Sequence, residues 1–192
     1  KKVVYASSSS IYGNTKVIPI KENFERKPIN PYGQTKLEDE FLAEKYREEG
    51  VSIIGLRYFN IFGKGQTGSY AGVITQFMNK VFEKKELQIN GDGEQVRDFI
   101  HVSDVAQANL SAMESKTEFG FFNIGTGEMT SIKSLAGTMI KLSNEKLGLK
   151  FNSPLKGDVK LSLADIIKTE KELDWKYRIG LKEGLKQLFE EW

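Results

Sequence analysis

Cysteine is absent from the chain, and histidine occurs once, at His101. The first absence excludes disulfides, a thiol nucleophile and Cys-based zinc or iron–sulfur sites. The second excludes a multi-histidine metal centre. No run approaches the 18 or so consecutive apolar residues of a membrane span, and Lys1-Lys2-Val3-Val4-Tyr5 lacks the apolar segment of a secretory signal. Charge of one sign is lacking too: 28 basic residues face 26 acidic ones, mostly interspersed, for a net charge of +2. That balance leaves no footprint for sequence-independent nucleic-acid binding. The expectation is a soluble, cytoplasmic protein with no nucleic-acid or membrane partner. What is present suits it. The 192 residues, 39% hydrophobic, suffice to bury a core in one or two domains and are far from a disordered composition.

Apolar runs and turn residues alternate along the chain. Val3-Val4-Tyr5-Ala6 reads as a buried strand emptying into four serines, Ser7 to Ser10. Asn30-Pro31 opens a helix, with Asn as N-cap and Pro at the first helical position. Leu37, Phe41, Leu42 and Tyr46 are expected to carry its apolar stripe, and Gly50 ends it. Val51 to Phe62 reads as another buried strand, followed by a glycine-rich loop over 63–72 and a helix from Val73. Short strands are expected at Leu87-Gln88-Ile89, at Phe99-Ile100-His101-Val102 and at Phe121-Phe122-Asn123-Ile124. Ser103 or Asp104 can cap a helix to about Met113, and Ser131 one towards Leu147. From Ile166 the tail alternates short helices with loops. Strands alternating with helices predict an α/β fold with a parallel sheet.

Two tyrosines have a lysine four residues on: Tyr12 with Lys16 and Tyr32 with Lys36. Only the second pair sits behind a cap and a first-turn proline, so only there does a helix bring both side chains to one face. A phenol with its ordinary pKa near ~10 is a poor base, and a neighbouring ammonium lowers that value. So tuned, it can take or return a hydroxyl proton. On spacing and helix alone the plainer reading is a solvated surface pair.

The combination of motifs changes that reading. Tyr5-Ala6-Ser7-Ser8-Ser9-Ser10-Ile11-Tyr12-Gly13 is followed by Asn30-Pro31-Tyr32-Gly33-Gln34-Thr35-Lys36. Then come Arg57-Tyr58-Phe59-Asn60-Ile61-Phe62-Gly63 and Gly91-Asp92-Gly93-Glu94-Gln95-Val96-Arg97-Asp98-Phe99-Ile100-His101-Val102. In this order and spacing, from residue 1 to about 175, they resemble the extended short-chain dehydrogenase/reductase family. The likeness is to its NAD-dependent nucleotide-sugar epimerases of the UDP-glucose 4-epimerase type. It implies Tyr32 as acid–base residue, with Lys36 lowering its pKa and holding the nicotinamide ribose. It implies Ser8 polarising the reacting hydroxyl, and Tyr58 and Phe59 beside the cofactor. The related 4,6-dehydratases carry a triplet like Thr-Asp-Glu where this chain has Ser8-Ser9-Ser10, so dehydration lacks its acids. Epimerisation or plain oxidation is left.

The same resemblance places Asn60 and Arg97 near the substrate diphosphate, where an arginine fork suits phosphate oxygens. The alternative for Arg97 is a buried pair with Asp98. Asp158 would hold ribose hydroxyls. Leu155 stands where the family often has a phosphate-binding arginine, with Lys156 beside it. Ser162 occupies a position that gates the sugar pocket, and a small residue there leaves room for N-acetyl groups. His101, Trp175 and the aromatic clusters read as structural.

The implied fold is an incomplete Rossmann-like parallel sheet with a smaller α/β substrate-binding region. Residues 1–62, rejoined by 94–126, would be the remainder of the NAD-binding domain, and 63–93 with 127–192 the substrate region. The family's glycine-rich dinucleotide loop has no counterpart at the start of this chain. Gly63-Lys64-Gly65-Gln66-Thr67-Gly68 fits a glycine fingerprint, but its helix starts too late, and a substrate-side loop is the better reading. This chain alone is expected to be weak or inactive, and to form a homo-oligomer that hides surface meant for further strands. A nucleotide-sugar reductase or dehydrogenase, or a non-catalytic sugar-nucleotide-binding protein, are the alternatives.

Overall fold

Runs such as Val3-Val4 and Ile53-Ile54 have no helical period and form extended chain. The computed structural model describes residues 1–66 and 72–192; positions 67–71 of the glycine-rich loop, including Thr67 and Gly68 of the glycine fingerprint, lie outside the described residues. Its strands are β1 (Lys2–Ser8), β2 (Ser52–Tyr58), β3 (Asn60–Phe62), β4 (Leu87–Asn90), β5 (Val96–Arg97), β6 (Phe99–His101), β7 (Phe119–Ile124), β8 (Thr130–Ser131) and β9 (Leu149–Asn152). Its helices are α1 (Pro31–Glu48), α2 (Val73–Phe82), α3 (Val102–Glu114), α4 (Ile132–Ser143), α5 (Ile167–Leu173) and α6 (Leu181–Glu191).

β1, β2 and β7 run in parallel in that order, with Val4 opposite Ile54 and Leu56 opposite Phe122. Parallel neighbours need a crossover, and α1 supplies the one from β1 to β2. β3 pairs with β6 and β4 with β9, both parallel, while β5 and β8 are antiparallel. This is the α/β architecture with a parallel sheet expected from the sequence. One buried cluster, including Ile54, Leu56, Ile100, Ala108, Phe122 and Trp175, lies between the sheet, α3 and α5. A second joins α2, β4, α4 and α6 through Phe77, Met78, Leu87, Leu135 and Leu185. A third holds the turn after β1 against Ile20, Leu37 and Phe59. Among the described residues no helix is long and apolar enough to cross a membrane.

Four expectations need correction. The single strand over 51–62 is two: buried Phe59 donates its N–H to the Ile124 carbonyl at 2.9 Å, and Asn60 then pairs with Phe99 in another sheet. Of the expected stripe on α1 only Leu37 is buried, while Phe41, Leu42 and Tyr46 are about half exposed. The buried face is Gly33, Leu37, Glu40 and Ala43, because Glu40 finds an arginine partner inside. Neither Ser103 nor Asp104 caps α3. His101 does, its Nδ1 accepting the Ser103 N–H at 3.3 Å, while buried Asp104 takes the N–H groups of Arg178 and Ile179. Finally, α4 stops at Ser143, where Asn144 turns left-handed, rather than continuing to Leu147.

Candidate active site

In open parallel sheets, ligands bind outside the carboxyl ends of the strands. β1 ends at Ser8 and β2 at Tyr58, and a cavity of about 490 Å³ opens there. Ser8, Tyr32, Lys36, Tyr58, Phe59, Asn60 and Gln66 are among its lining residues. Six residues expected at the site from sequence are thus brought together.

Local chemistry explains how. Ser8 is nearly buried and caps the 3-10 turn Ser9–Tyr12, its Oγ accepting the Ser10 N–H at 3.1 Å. Asn30 caps α1 as expected, its Oδ1 accepting the Gly33 N–H at 2.7 Å, with Pro31 next. A Cβ on Gly33 would stand 2.7 Å from the Ser10 carbonyl oxygen and 2.9 Å from Pro28 Cβ. Only glycine lets the first turn of α1 come so close to the turn that follows Ser8. Tyr32 is 55% exposed, and Lys36 points its ammonium at Asp39 Oδ2, 3.1 Å away. The Tyr58 hydroxyl instead bonds Asn109 Oδ1 on α3 at 3.0 Å, and burial pushes its phenol up against that bond.

The remaining expected residues form a second group. Arg97 does not pair with its neighbour Asp98. Its Nη2 meets Asp158 Oδ1 at 2.5 Å and its Nη1 the Val96 carbonyl at 2.8 Å. Burial holds the Arg97 guanidinium below its ordinary value, against the pull of Asp158. Asp158 also lines a cavity of about 870 Å³ with Asn90, Gln95, Phe151 and Leu155. Ser162, 8% exposed, sits beside this group through its N–H to the Val96 carbonyl, and it is not among the lining residues of either cavity. β5 links the groups, because Arg97 lies two residues before Phe99, which lines the first cavity.

Asp98 accepts four hydrogen bonds: Thr126 N–H and Oγ1 on one oxygen, Gly127 and Ala164 N–H on the other. His101 and Trp175 are structural, the latter donating its indole N–H to the Asp104 carbonyl. Among the described residues no cluster of His, Asp or Glu is placed to hold a metal ion.

Sequence reasoning missed Glu40, Arg57 and Gln66. Arg57 forks onto Glu40, with Nε to Oε1 at 2.8 Å and Nη2 to Oε2 at 2.7 Å, both residues almost fully buried. The signal was available: an arginine inside the apolar run of β2, and a carboxylate one turn after Lys36 on the same helix face. Gln66 joins the cavity wall through the Thr75 hydroxyl, which donates to Gln66 Oε1 at 2.9 Å.

A Rossmann-like fold with polar groups converging at the strand ends is a nucleotide-binding architecture. The sequence profile of the NAD dependent epimerase/dehydratase family matches residues 1–125, and the chain belongs to that family. It is 38% identical over 194 residues to a putative UDP-glucose 4-epimerase of Methanocaldococcus jannaschii, covering 97% of this chain and 61% of that one. The UDP-glucose 4-epimerase of Thermotoga maritima, solved with UDP-glucose, superposes with a TM-score of 0.95 at 38% identity, over 99% of this chain and 62% of the other. The UDP-N-acetylglucosamine 4-epimerase of Methanobrevibacter ruminantium, solved with UDP-N-acetylmuramic acid, gives 0.93 at 32% identity, over 99% and 62%. The chain spans about three fifths of the length of these relatives.

Proposed function

We propose that the protein is a nucleotide-sugar 4-epimerase acting on UDP-glucose and UDP-galactose. The observation that carries the reading is one cavity at the ends of β1 and β2 lined by Ser8, Tyr32 and Lys36 together. Tyr32 takes the proton of the sugar 4-hydroxyl and later gives it back, as its exposure to the cavity allows. Ser8 Oγ offers that hydroxyl a hydrogen-bond partner, and the Lys36 ammonium stabilises the phenolate. Bound NAD supplies a reversible hydride acceptor for the sugar carbon. For its nicotinamide riboside end the cavity fits: Tyr58 and Phe59 offer ring surface, and Lys36, free to leave Asp39, offers a donor for ribose hydroxyls. Arg97 and Asn60 hold the diphosphate and Asp158 the uridine ribose. In this reading residues 1–62 with 94–126 serve the cofactor, and 63–93 with 127–192 the substrate.

Acceptance of N-acetylated sugars belongs to the same reading, supported by a relative of similar structure that is a UDP-N-acetylglucosamine 4-epimerase; Ser162, which lines neither cavity, gives it no support. Self-association is part of the same reading, supported by half-exposed Phe41, Leu42 and Tyr46 on α1.

The test is conversion of UDP-glucose to UDP-galactose by the purified protein, followed by proton NMR without a cofactor-consuming partner reaction. This chain alone is expected to turn over weakly; joined to the remainder of the family's NAD-binding fold it is expected to interconvert the two sugars, with Tyr32→Phe there slower by roughly 10²–10⁴-fold. Stoichiometric build-up of NADH with sugar would identify a dehydrogenase instead. Binding without turnover in that longer protein would identify a non-catalytic carrier.

A further inference from the structure

Tyr32, Lys36 and Glu40 follow one another at four-residue steps and so lie along one slowly drifting stripe of α1. The first two face the cavity; the third is fully buried at the other end of the stripe. The apolar seat of α1 is small. Its fully buried residues are Gly33, Leu37, Glu40 and Ala43, so Leu37 is the one fully buried apolar side chain larger than a methyl. Apolar contact of that extent has little directionality, and a helix held by it alone turns easily about its axis.

Glu40 is held from several sides at once. Arg57 of β2 forks onto both oxygens at 2.8 and 2.7 Å. Ser7 of β1, the residue before Ser8, donates to Oε1 at 2.7 Å, and Arg26 donates to Oε2 at 3.1 Å. Arg57 is itself fixed, by the Tyr12 hydroxyl at 2.7 Å and the Glu22 carbonyl at 2.8 Å, and Tyr12 in turn donates to Asn123 of β7. Burial opposes the Arg57 charge, but the bonds to Glu40 outweigh it and hold the guanidinium above its ordinary value. The carboxylate therefore reads the position of all three strands of the sheet.

We propose that Glu40 is a positioning residue: through Arg57 and Ser7 it sets the rotation of α1 and so aims Tyr32 and Lys36 at Ser8. The proposal rests on the functional reading above only for what the aim accomplishes. A rotation of about 10° moves a side-chain tip some 5–6 Å from the helix axis by about 1 Å. Misplacement of about 1 Å in a reacting group costs on the order of 10²-fold in rate.

The test separates position from stability. Exchanging a buried ion pair for apolar residues of similar volume is often neutral or stabilising, so Glu40→Met with Arg57→Met is the informative double variant. Expected is a thermal midpoint within about 5 °C of wild type, kcat lower by roughly 100-fold, and KM for the UDP-sugar within about threefold. Its crystal structure should show Tyr32 displaced by about 1 Å or more relative to Ser8. A folded double variant with wild-type kcat and Tyr32 in place overturns the proposal. Should the double variant not fold, Glu40→Asp retains the charge but shortens the arm by one methylene. The same loss of kcat and displacement of Tyr32 are then expected of Glu40→Asp, and wild-type values of both overturn the proposal. A wild type without 4-epimerase activity even when joined to the remainder of the family's NAD-binding fold refutes the proposed function, and the displacement of Tyr32 in the variant crystals then decides the positioning claim by itself.

Discussion

Replacing Asp98 tests how the loop after β7 and the 161–165 segment are held. Its carboxylate is fully buried and accepts Thr126 N–H at 2.8 Å, Thr126 Oγ1 at 2.7 Å, Gly127 N–H at 2.9 Å and Ala164 N–H at 3.1 Å. These donors belong to the loop after β7 and to the 161–165 segment, which carries Ser162. Asp98→Ala orphans all of them, and each buried donor left without an acceptor costs roughly 1–3 kcal/mol. Release from burying a carboxylate offsets part of this, so a net loss of about 3–5 kcal/mol is expected. For a chain of this size that lowers Tm by roughly 6–15 °C. Asp98→Asn discriminates more sharply. Its amide NH₂ can face the Thr126 side, where the hydroxyl accepts from it, so one N–H donor is left unmet and a loss of roughly 1–3 kcal/mol, smaller than alanine's, is expected. Circular dichroism melts of the three proteins provide the comparison. An asparagine variant within about 2 °C of wild type would show that these loops do not depend on a four-fold acceptor.

Gly33→Ala pushes a methyl to 2.7 Å from the Ser10 carbonyl oxygen, so α1 must retreat from the turn after Ser8. Epimerisation slower by about 10–100-fold is expected, and an unchanged rate in steady-state assays would contradict the close approach. Burial holds the His101 imidazole below its ordinary value of 6.5, opposed by Asp104 and Glu191. The unfolded chain therefore takes up the proton first, and this contribution to stability is complete above about pH 6.5 and lost as the pH falls through that value. His101→Asn keeps a capping acceptor that does not titrate, so the decline in urea midpoint between about pH 7 and 5 should flatten. An identical slope in the variant would remove His101 from the acid response.

Much of the site was legible because its chemistry is local. Asn30, Pro31 and the Tyr32 to Lys36 step predict a capped helix with both groups on one face, and the structure has that helix and that face on the cavity. Strand identity was legible from a β-branched run at β1 and an aromatic one at β7. What stayed hidden depends on distant partners. Phe41, Leu42 and Tyr46 look like a core stripe until Arg57, 17 residues beyond Glu40, turns the helix to bury a carboxylate instead. The split of the 51–62 strand rests on Phe59 meeting Ile124, and the partner of Arg97 is Asp158, 61 residues on, rather than the adjacent aspartate. His101 as a cap was missed because imidazole accepts an N–H only in its neutral form, a condition set by burial and not by spacing.

The central claim is that one carbon–hydrogen bond at position 4 of the sugar breaks and re-forms inside the cavity while Tyr32 handles the hydroxyl proton. The direct measurement uses UDP-glucose deuterated at carbon 4, with the UDP-galactose formed examined by mass spectrometry and NMR. Retention of deuterium at carbon 4, none of it released to water, is expected. Product that has exchanged the label for solvent hydrogen would contradict the account.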